Sequence, residues 1–74
     1  MGQVTKQNLE EVMTYHAPTP EQQMKYAAIK EAAIAFAAVL LDQCPPCADT
    51  SAALRCVREA KIWANSAVAL NGLI

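Results

Sequence analysis

Residues 44–47 read CPPC, and these two cysteines are the residues whose spacing most directly suggests chemistry. A Cys-x-x-Cys pair can be a dithiol redox centre, half of a structural zinc site, or a turn that contains two thiols. Redox pairs usually lie at the N-terminus of a helix that follows a strand, and the sequence predicts no strand before Cys44. Cys44 instead ends a predicted helix, where the helix dipole disfavours a thiolate.

A zinc site is the second interpretation of the cysteine pair. A structural site needs four ligands, and Cys44 with Cys47 supplies two. Cys56 lies farther along the next predicted helix, and His16 belongs to a different turn, so these residues do not close a site within one chain. The pattern favours a turn in which Pro45 ends the preceding helix and the thiols act as small apolar residues. Redox and metal roles stay open as the minor alternatives.

A second group of residues lies around YHAPT at residues 15–19, with Lys30 on the following helix. Tyr15 either packs beneath the fold or stacks on a planar ligand. His16 either stabilises the loop by a hydrogen bond or contacts a ligand. Lys30 interrupts an apolar stretch and is either a solvated residue or a phosphate contact, because an ammonium offers a point charge with three donors. The same alternatives hold for Arg58 and Lys61.

Catalysis is not indicated by this sequence. The chain has one histidine and two glycines, and it shows no glycine-rich loop, no local carboxylate pair and no nucleophile beside a base. We therefore expect a protein that is not an enzyme and that has no cofactor, no metal and no catalytic residue.

The elements that must position these residues are helical. Thr19, Pro20 and Gln22 form a capping box with proline at the first helical position, and apolar residues then recur at steps of three and four, which predicts a long helix over 20–43. A second long helix is predicted over 50–71, capped by Asp49 or Thr50 and closed at residues 71–72. A short helix is expected over about 4–13. The predicted fold is all-α: a short N-terminal helix followed by a long antiparallel helical hairpin.

Size and composition indicate assembly. The chain has 74 residues and forms a single domain, 1–74; 54% of its residues are apolar and 5% are aromatic. A hairpin this small encloses no proper core and is only marginally stable alone. Wide apolar helix faces therefore predict a compact homo-oligomer.

Charge and hydropathy limit the kinds of partner that the chain can bind. A net charge of −1 without a basic run argues against duplex nucleic acid, which requires many phosphate contacts, but a small anionic ligand needs only one or two cations. The N-terminus is polar, the longest apolar run covers residues 32–41, and three cysteines are an odd number. We expect no membrane span, no signal peptide and a reducing, cytoplasmic location.

Several short motifs together resemble a known family. The order YHAPT, KEAA, the Cys/Pro turn followed by AD, and REA before WAN over about residues 15–71 is similar to the phage anti-CBASS cyclic-nucleotide sponges. This family counters cyclic-oligonucleotide-based antiphage signalling. The resemblance covers most of the chain and depends on the order and spacing of the motifs together.

The resemblance implies a concrete function. Such proteins bind cyclic dinucleotides and cyclic trinucleotides in the host cytoplasm and hold them without cleavage, as homohexamers with pockets between chains. It implies that Tyr15 stacks on a base, that Lys30 meets a phosphate, and that His16 neighbours the pocket for larger rings. The alternative from the residues alone is a helical-hairpin interaction module that docks on a host protein.

Overall fold

The computed structural model describes residues 2–74, and in this range it contains three helices and no strand. Helix α1 spans Leu9–Met13, α2 spans Pro20–Gln43 and α3 spans Ala48–Leu70. The long helices α2 and α3 pack against each other as a hairpin, and the chain measures 47 × 27 × 20 Å. The expected all-α helical hairpin is confirmed.

Helix α1 is shorter than the sequence pattern predicts, because it begins at Leu9 and not near residue 4. The preceding residues form a turn in which the Thr5 amide donates to Asn8 Oδ1 at 2.8 Å and the Asn8 amide donates to Thr5 Oγ1 at 3.4 Å. Short polar side chains of this kind compete with the helical hydrogen bonds of the backbone. The turn therefore delays the start of the helix.

Helix α2 begins with the capping box that the sequence predicts. Thr19 Oγ1 accepts from the Gln22 amide at 3.1 Å, and Gln22 Oε1 accepts from the Thr19 amide at 3.0 Å. Pro20 occupies the first turn, where its missing N–H is no loss. Gln22 Nε2 also donates to the Val68 carbonyl at 3.1 Å, which fixes the start of α2 against the end of α3.

Helix α3 begins two residues earlier than expected, and neither Asp49 nor Thr50 caps it. Cys47 is the N-cap residue, with extended backbone angles and no side-chain cap bond. The Thr50 hydroxyl instead donates to the Pro45 carbonyl at 2.6 Å, so it holds the turn together. Residues 44–47 thereby reverse the chain between the two long helices.

Helix α3 ends in the left-handed backbone conformation that glycine and asparagine favour. Asn71 has φ 51° and Gly72 has φ 78°. The Gly72 amide donates to the Ala67 carbonyl and the Asn71 amide to the Val68 carbonyl, both at 3.2 Å, which is a Schellman arrangement. Gly2 lies so close to Leu73 that a Cβ at position 2 would overlap its carbonyl, so the two ends of the described chain meet.

Packing within one chain is shallow. Among residues 2–74 no apolar side chain is fully buried, and Thr50, at 8% exposed, is the buried residue. Phe36 of α2 and Trp63 of α3, the largest apolar side chains of the two long helices, are 57% and 64% exposed. Ala60 and Ala67 of α3 are exposed as well. The helices meet through a narrow line of half-buried residues, and much apolar surface lies outside it.

No helix within residues 2–74 is long and apolar enough to cross a membrane.

Candidate functional site

Tyr15 and His16 line an open depression at the end of the hairpin where α1 folds onto it. We name this surface the tyrosine depression. One residue of α1, four of the segment between α1 and α2, one of α2 and four of α3 contribute to it: Val12, Thr14, Tyr15, His16, Pro18, Tyr26, Asn65, Ser66, Ala69 and Leu70. Two phenol rings and one imidazole therefore share one surface of this small chain.

The two aromatic residues of the loop differ in how they are held. Tyr15 is 83% exposed and follows the C-cap residue of α1, Thr14, whose hydroxyl donates to the Glu10 carbonyl at 2.5 Å. His16 is half-buried, and its Nε2 lies 2.7 Å from the Glu11 carbonyl, which fixes Nε2 as the protonated donor. His16 thus stabilises the loop, while the Tyr15 ring is free to contact a ligand or another chain.

Lys30 lies in a different groove, between α2 and α3 near the middle of the hairpin. We name it the basic groove. Its walls carry three cations above a floor of small and branched apolar side chains: Lys30, Ala33, Ile34, Ala37, Leu54, Val57, Arg58 and Lys61. Within one chain, the structure therefore does not bring Lys30 into the depression that holds Tyr15 and His16.

The tyrosine depression and the basic groove nevertheless lie along the same side of the hairpin. Tyr26 lines the first and Lys30 the second, and residues four apart on a helix are neighbours about 5–6 Å apart at Cβ. On α3, Lys61 and Asn65 have the same relationship. Planar rings at one end of this side are thus followed, one helical turn later, by cations.

The opposite side of the same seam forms an apolar groove. Apart from Lys61 at its edge, it is lined by uncharged residues: Ile29, Ala32, Ala33, Phe36, Leu40, Ala53, Cys56, Val57, Ala60 and Ala64. Cys56 and Arg58, two residues apart, lie about 200° apart around α3, which places the apolar and basic grooves on opposite sides of the hairpin. Apart from Lys61, the groove therefore presents apolar surface and few groups that could form hydrogen bonds.

The cysteine turn has its own chemistry. Cys44, Cys47 and Cys56 are free thiols, and Cys47 Sγ lies 3.4 Å from Thr50 Oγ1. The hydrogen bond with the Thr50 side chain, followed by the backbone amides of Thr50 and Asp49, lowers the pKa of Cys47. No group of three His, Cys, Asp or Glu residues within 2–74 is arranged to hold a metal ion. The turn therefore places one exposed thiol, that of Cys47, at the start of α3.

Two residues of the tyrosine depression are not indicated by the sequence pattern. Tyr26 falls on the apolar stripe of α2, although its position one turn before Lys30 is a usable signal. Asn65 ends the WAN motif but is not among the site residues that the sequence predicts, and its Oδ1 is buried without a hydrogen-bond partner in the described part of the chain. Such an atom costs about 1–3 kcal/mol if it stays unpaired.

The fold and these surfaces define a class: a small all-α hairpin protein whose sites are open on a single chain. The family model described as "Acb2/Tad1, hairpin domain" matches residues 5–69, and the chain belongs to this family, that of the anti-CBASS cyclic-nucleotide sponges. The expected resemblance is thereby confirmed. Comparisons with curated proteins and with solved structures gave no match.

Proposed function

We propose that this protein binds cyclic dinucleotides and cyclic trinucleotides made by host antiphage signalling and sequesters them without cleavage. The observation that carries the proposal is the family membership over residues 5–69, together with one side of the hairpin on which rings and cations adjoin. A cyclic oligonucleotide presents flat bases and a ring of phosphodiesters. Aromatic side chains stack on bases, and cations meet the phosphates.

Tyr15, Lys30 and His16 are the proposed ligand-binding residues. The exposed Tyr15 ring stacks on a base, and the Lys30 ammonium contacts a phosphate. Because His16 is held by the Glu11 carbonyl, it acts as a neighbour that shapes the loop beneath the ligand. Tyr15 and Lys30 line separate, neighbouring surfaces that are open on one chain, and in our proposal other copies complete the pocket.

A homo-oligomer, in our proposal a hexamer, supplies those copies. The absence of any fully buried apolar side chain among residues 2–74 and the exposure of Phe36 and Trp63 support assembly. Apolar burial stabilises association by about 25 cal/mol per Å², and the apolar groove offers a continuous surface for it. In this proposal the assembly acts in the host cytoplasm and binds neither duplex nucleic acid nor membrane.

Sequestration sets a requirement on affinity. Because each bound ligand occupies one site and is not turned over, the protein acts stoichiometrically. Sub-micromolar binding corresponds to at least about 8 kcal/mol per ligand. Stacking and charge-assisted hydrogen bonds supply this only if several of them act on the same ligand.

The test is a titration of the intact protein with cyclic diadenylate, cyclic diguanylate and cyclic triadenylate while its melting temperature is followed. Ligand at about 100 times Kd stabilises the native state by about 2.7 kcal/mol, which raises Tm by roughly 10 °C or more for a domain of this size. Mass spectrometry of ligand released by denaturation should recover the intact ring. If no ring in a wider panel changes Tm, the chain is better described as a hairpin module that docks on a host protein; linear products would contradict sequestration without cleavage.

A further inference from the structure

The basic groove concentrates the positive charge of this molecule. The chain has six Lys and Arg residues and a net charge of −1, yet Lys30, Arg58 and Lys61 line the same groove, and no Asp or Glu lines it. Like charges that line one groove repel each other unless an anion or the solvent compensates them. The groove therefore favours a negatively charged occupant.

These three cations have no ion-pair partner within residues 2–74, where the ion pair found joins Lys25 to Glu21 at 3.7 Å. The nearest acids in sequence are directed elsewhere. Glu31 is one residue, about 100°, around the helix from Lys30. Glu59 accepts a hydrogen bond from Trp63 Nε1 at 3.2 Å. The chain itself thus does not neutralise the groove.

The shape of the groove specifies the kind of anion. Arg58 and Lys61 are three residues apart on α3, which places them on the same face, and Lys30 faces them from α2. The floor between them consists of Ala33, Ala37 and larger branched residues. A guanidinium can bind two phosphate oxygens at once, whereas an ammonium acts as a point charge. Cations above an apolar floor fit a phosphodiester that carries flat, apolar groups.

We infer that Arg58 and Lys61, together with Lys30, contact the phosphates of the bound cyclic nucleotide. This inference rests on the proposed function and extends its site from one cation per chain to three. With Lys30 alone, a second phosphate would need a cation from another copy. With Arg58 and Lys61 included, one chain carries enough positive charge to match both phosphates of a cyclic dinucleotide or all three of a cyclic trinucleotide.

The decisive experiment compares two arginines of α3. Arg58→Gln removes a groove cation, and Arg55→Gln removes an exposed arginine that does not line the groove. Affinity for cyclic diadenylate and cyclic triadenylate is measured by isothermal titration calorimetry at two salt concentrations. Loss of a hydrogen bond to a charged group weakens binding by about tenfold or more, so R58Q should bind about tenfold more weakly while R55Q binds as the native protein does. Arg58→Lys, which keeps the charge, should recover most of the lost affinity.

Lys61→Gln should also weaken binding by about tenfold, as R58Q does. In both variants the affinity should depend less on salt, because one fewer cation is available for salt to screen. Circular dichroism and light scattering on each variant control for folding and assembly.

The outcomes separate this inference from the function beneath it. If the native protein binds and R58Q and R55Q bind equally well, Arg58 is not a ligand contact, while the proposed function stands. If R58Q changes the mass of the assembly and R55Q does not, the groove is covered by another copy and the inference is wrong. If the native protein binds none of the rings, both proposals fail together.

Discussion

The two sides of the α2–α3 seam share Ala33, Val57 and Lys61 but differ in the charge of the other residues that line them. On one side the neighbours are alanines, Phe36 and other uncharged residues. On the other side they include the cations Lys30 and Arg58 beside apolar residues, with the tyrosine depression one turn away. The same two helices therefore carry two surfaces of different chemistry.

In our proposal, this difference allows one short chain to combine assembly with ligand binding. Contact between copies through the apolar side stabilises the assembly, because apolar surface is removed from water. A charged side loses stability when it is covered without an anion, because desolvated charges need partners. One side is thus suited to permanent contact between chains, and the other to a ligand that arrives already charged.

The largest effect is expected from a charge on the apolar side. Phe36→Glu places a carboxylate in the apolar groove, and burial of an unpaired charge is costly. We expect the proposed homo-oligomer to dissociate to the 8.0 kDa chain, with a dissociation constant about 100-fold higher or more, as for truncation of a central interface residue. Sedimentation equilibrium measures this change.

Met24→Glu is the matched control for that experiment. Met24 is an exposed apolar residue of the same helix but does not line the apolar groove. If M24E dissociates the assembly as strongly as F36E does, the contact between chains is not specific to the apolar groove. The assignment of assembly to one side and ligand binding to the other is then incorrect.

On the charged side, Lys30→Ala should weaken binding of cyclic diadenylate by about tenfold or more, because a charge-assisted hydrogen bond is lost. Lys25→Ala is the control, since Lys25 lies on the same helix and pairs with Glu21. Calorimetry on both variants tests the assignment. Equal affinities for K30A and K25A would remove Lys30 from the site.

Tyr15→Ala should cost a similar or smaller amount. Base–aromatic stacking is worth about 1–3 kcal/mol, and Tyr15 is exposed enough to change without disturbing the fold. Tyr15→Phe keeps the ring and should keep the affinity. A Y15F variant as weak as Y15A would mean that the hydroxyl, and not stacking, makes the contact.

The sequence predicts the fold class well because its signals are local. The Thr19–Gln22 capping box and the Asn71–Gly72 ending depend only on residues a few positions apart, and both appear in the structure. The start of α3 could not be predicted in the same way. It depends on the Thr50 hydroxyl reaching back to the Pro45 carbonyl, a choice between two hydrogen-bond partners that the sequence does not reveal.

The site is less predictable for a different reason. Tyr15, His16 and Lys30 can be selected from the sequence, but their separation into two surfaces depends on how α1 folds onto the hairpin. Asn65 has an unpaired oxygen only because of packing around it. The grouping of Arg58 with Lys30 requires the register of α2 against α3. Each of these relations is tertiary and has no counterpart in residue spacing.

A smaller effect is expected at the turn that joins the two long helices. Thr50→Val keeps the shape of the buried side chain and removes its hydrogen bond to Pro45, which is worth about 1 kcal/mol. We expect Tm to fall by roughly 4–8 °C with ligand affinity unchanged at temperatures where the protein is folded. Ser51→Ala, at the exposed neighbouring position, should leave Tm nearly constant. A larger drop for S51A than for T50V would contradict this account of the turn.

The smallest effect on ligand binding should come from changes to the thiols, although a Cys-x-x-Cys motif often carries chemistry. Because its pKa is lowered by Thr50 and the nearby amides, Cys47 should react with iodoacetamide faster than the exposed Cys56 near neutral pH. A depressed pKa also means that the thiolate stabilises the fold at high pH and that this contribution disappears as the pH falls through the folded-state pKa. Peptide mapping after brief alkylation measures the two rates, and a faster Cys56 would contradict the assignment.

Replacing Cys44 and Cys47 together by serine should nevertheless leave cyclic-nucleotide affinity largely unchanged. Neither residue lines the tyrosine depression or the basic groove, and serine is a favoured N-cap residue, so position 47 accepts it at the start of α3. Calorimetry on the double variant, with circular dichroism to show that it is folded, is the check. Loss of binding by a folded double variant would mean that the turn belongs to a site formed between chains, and the reactive thiol would then lie beside the ligand.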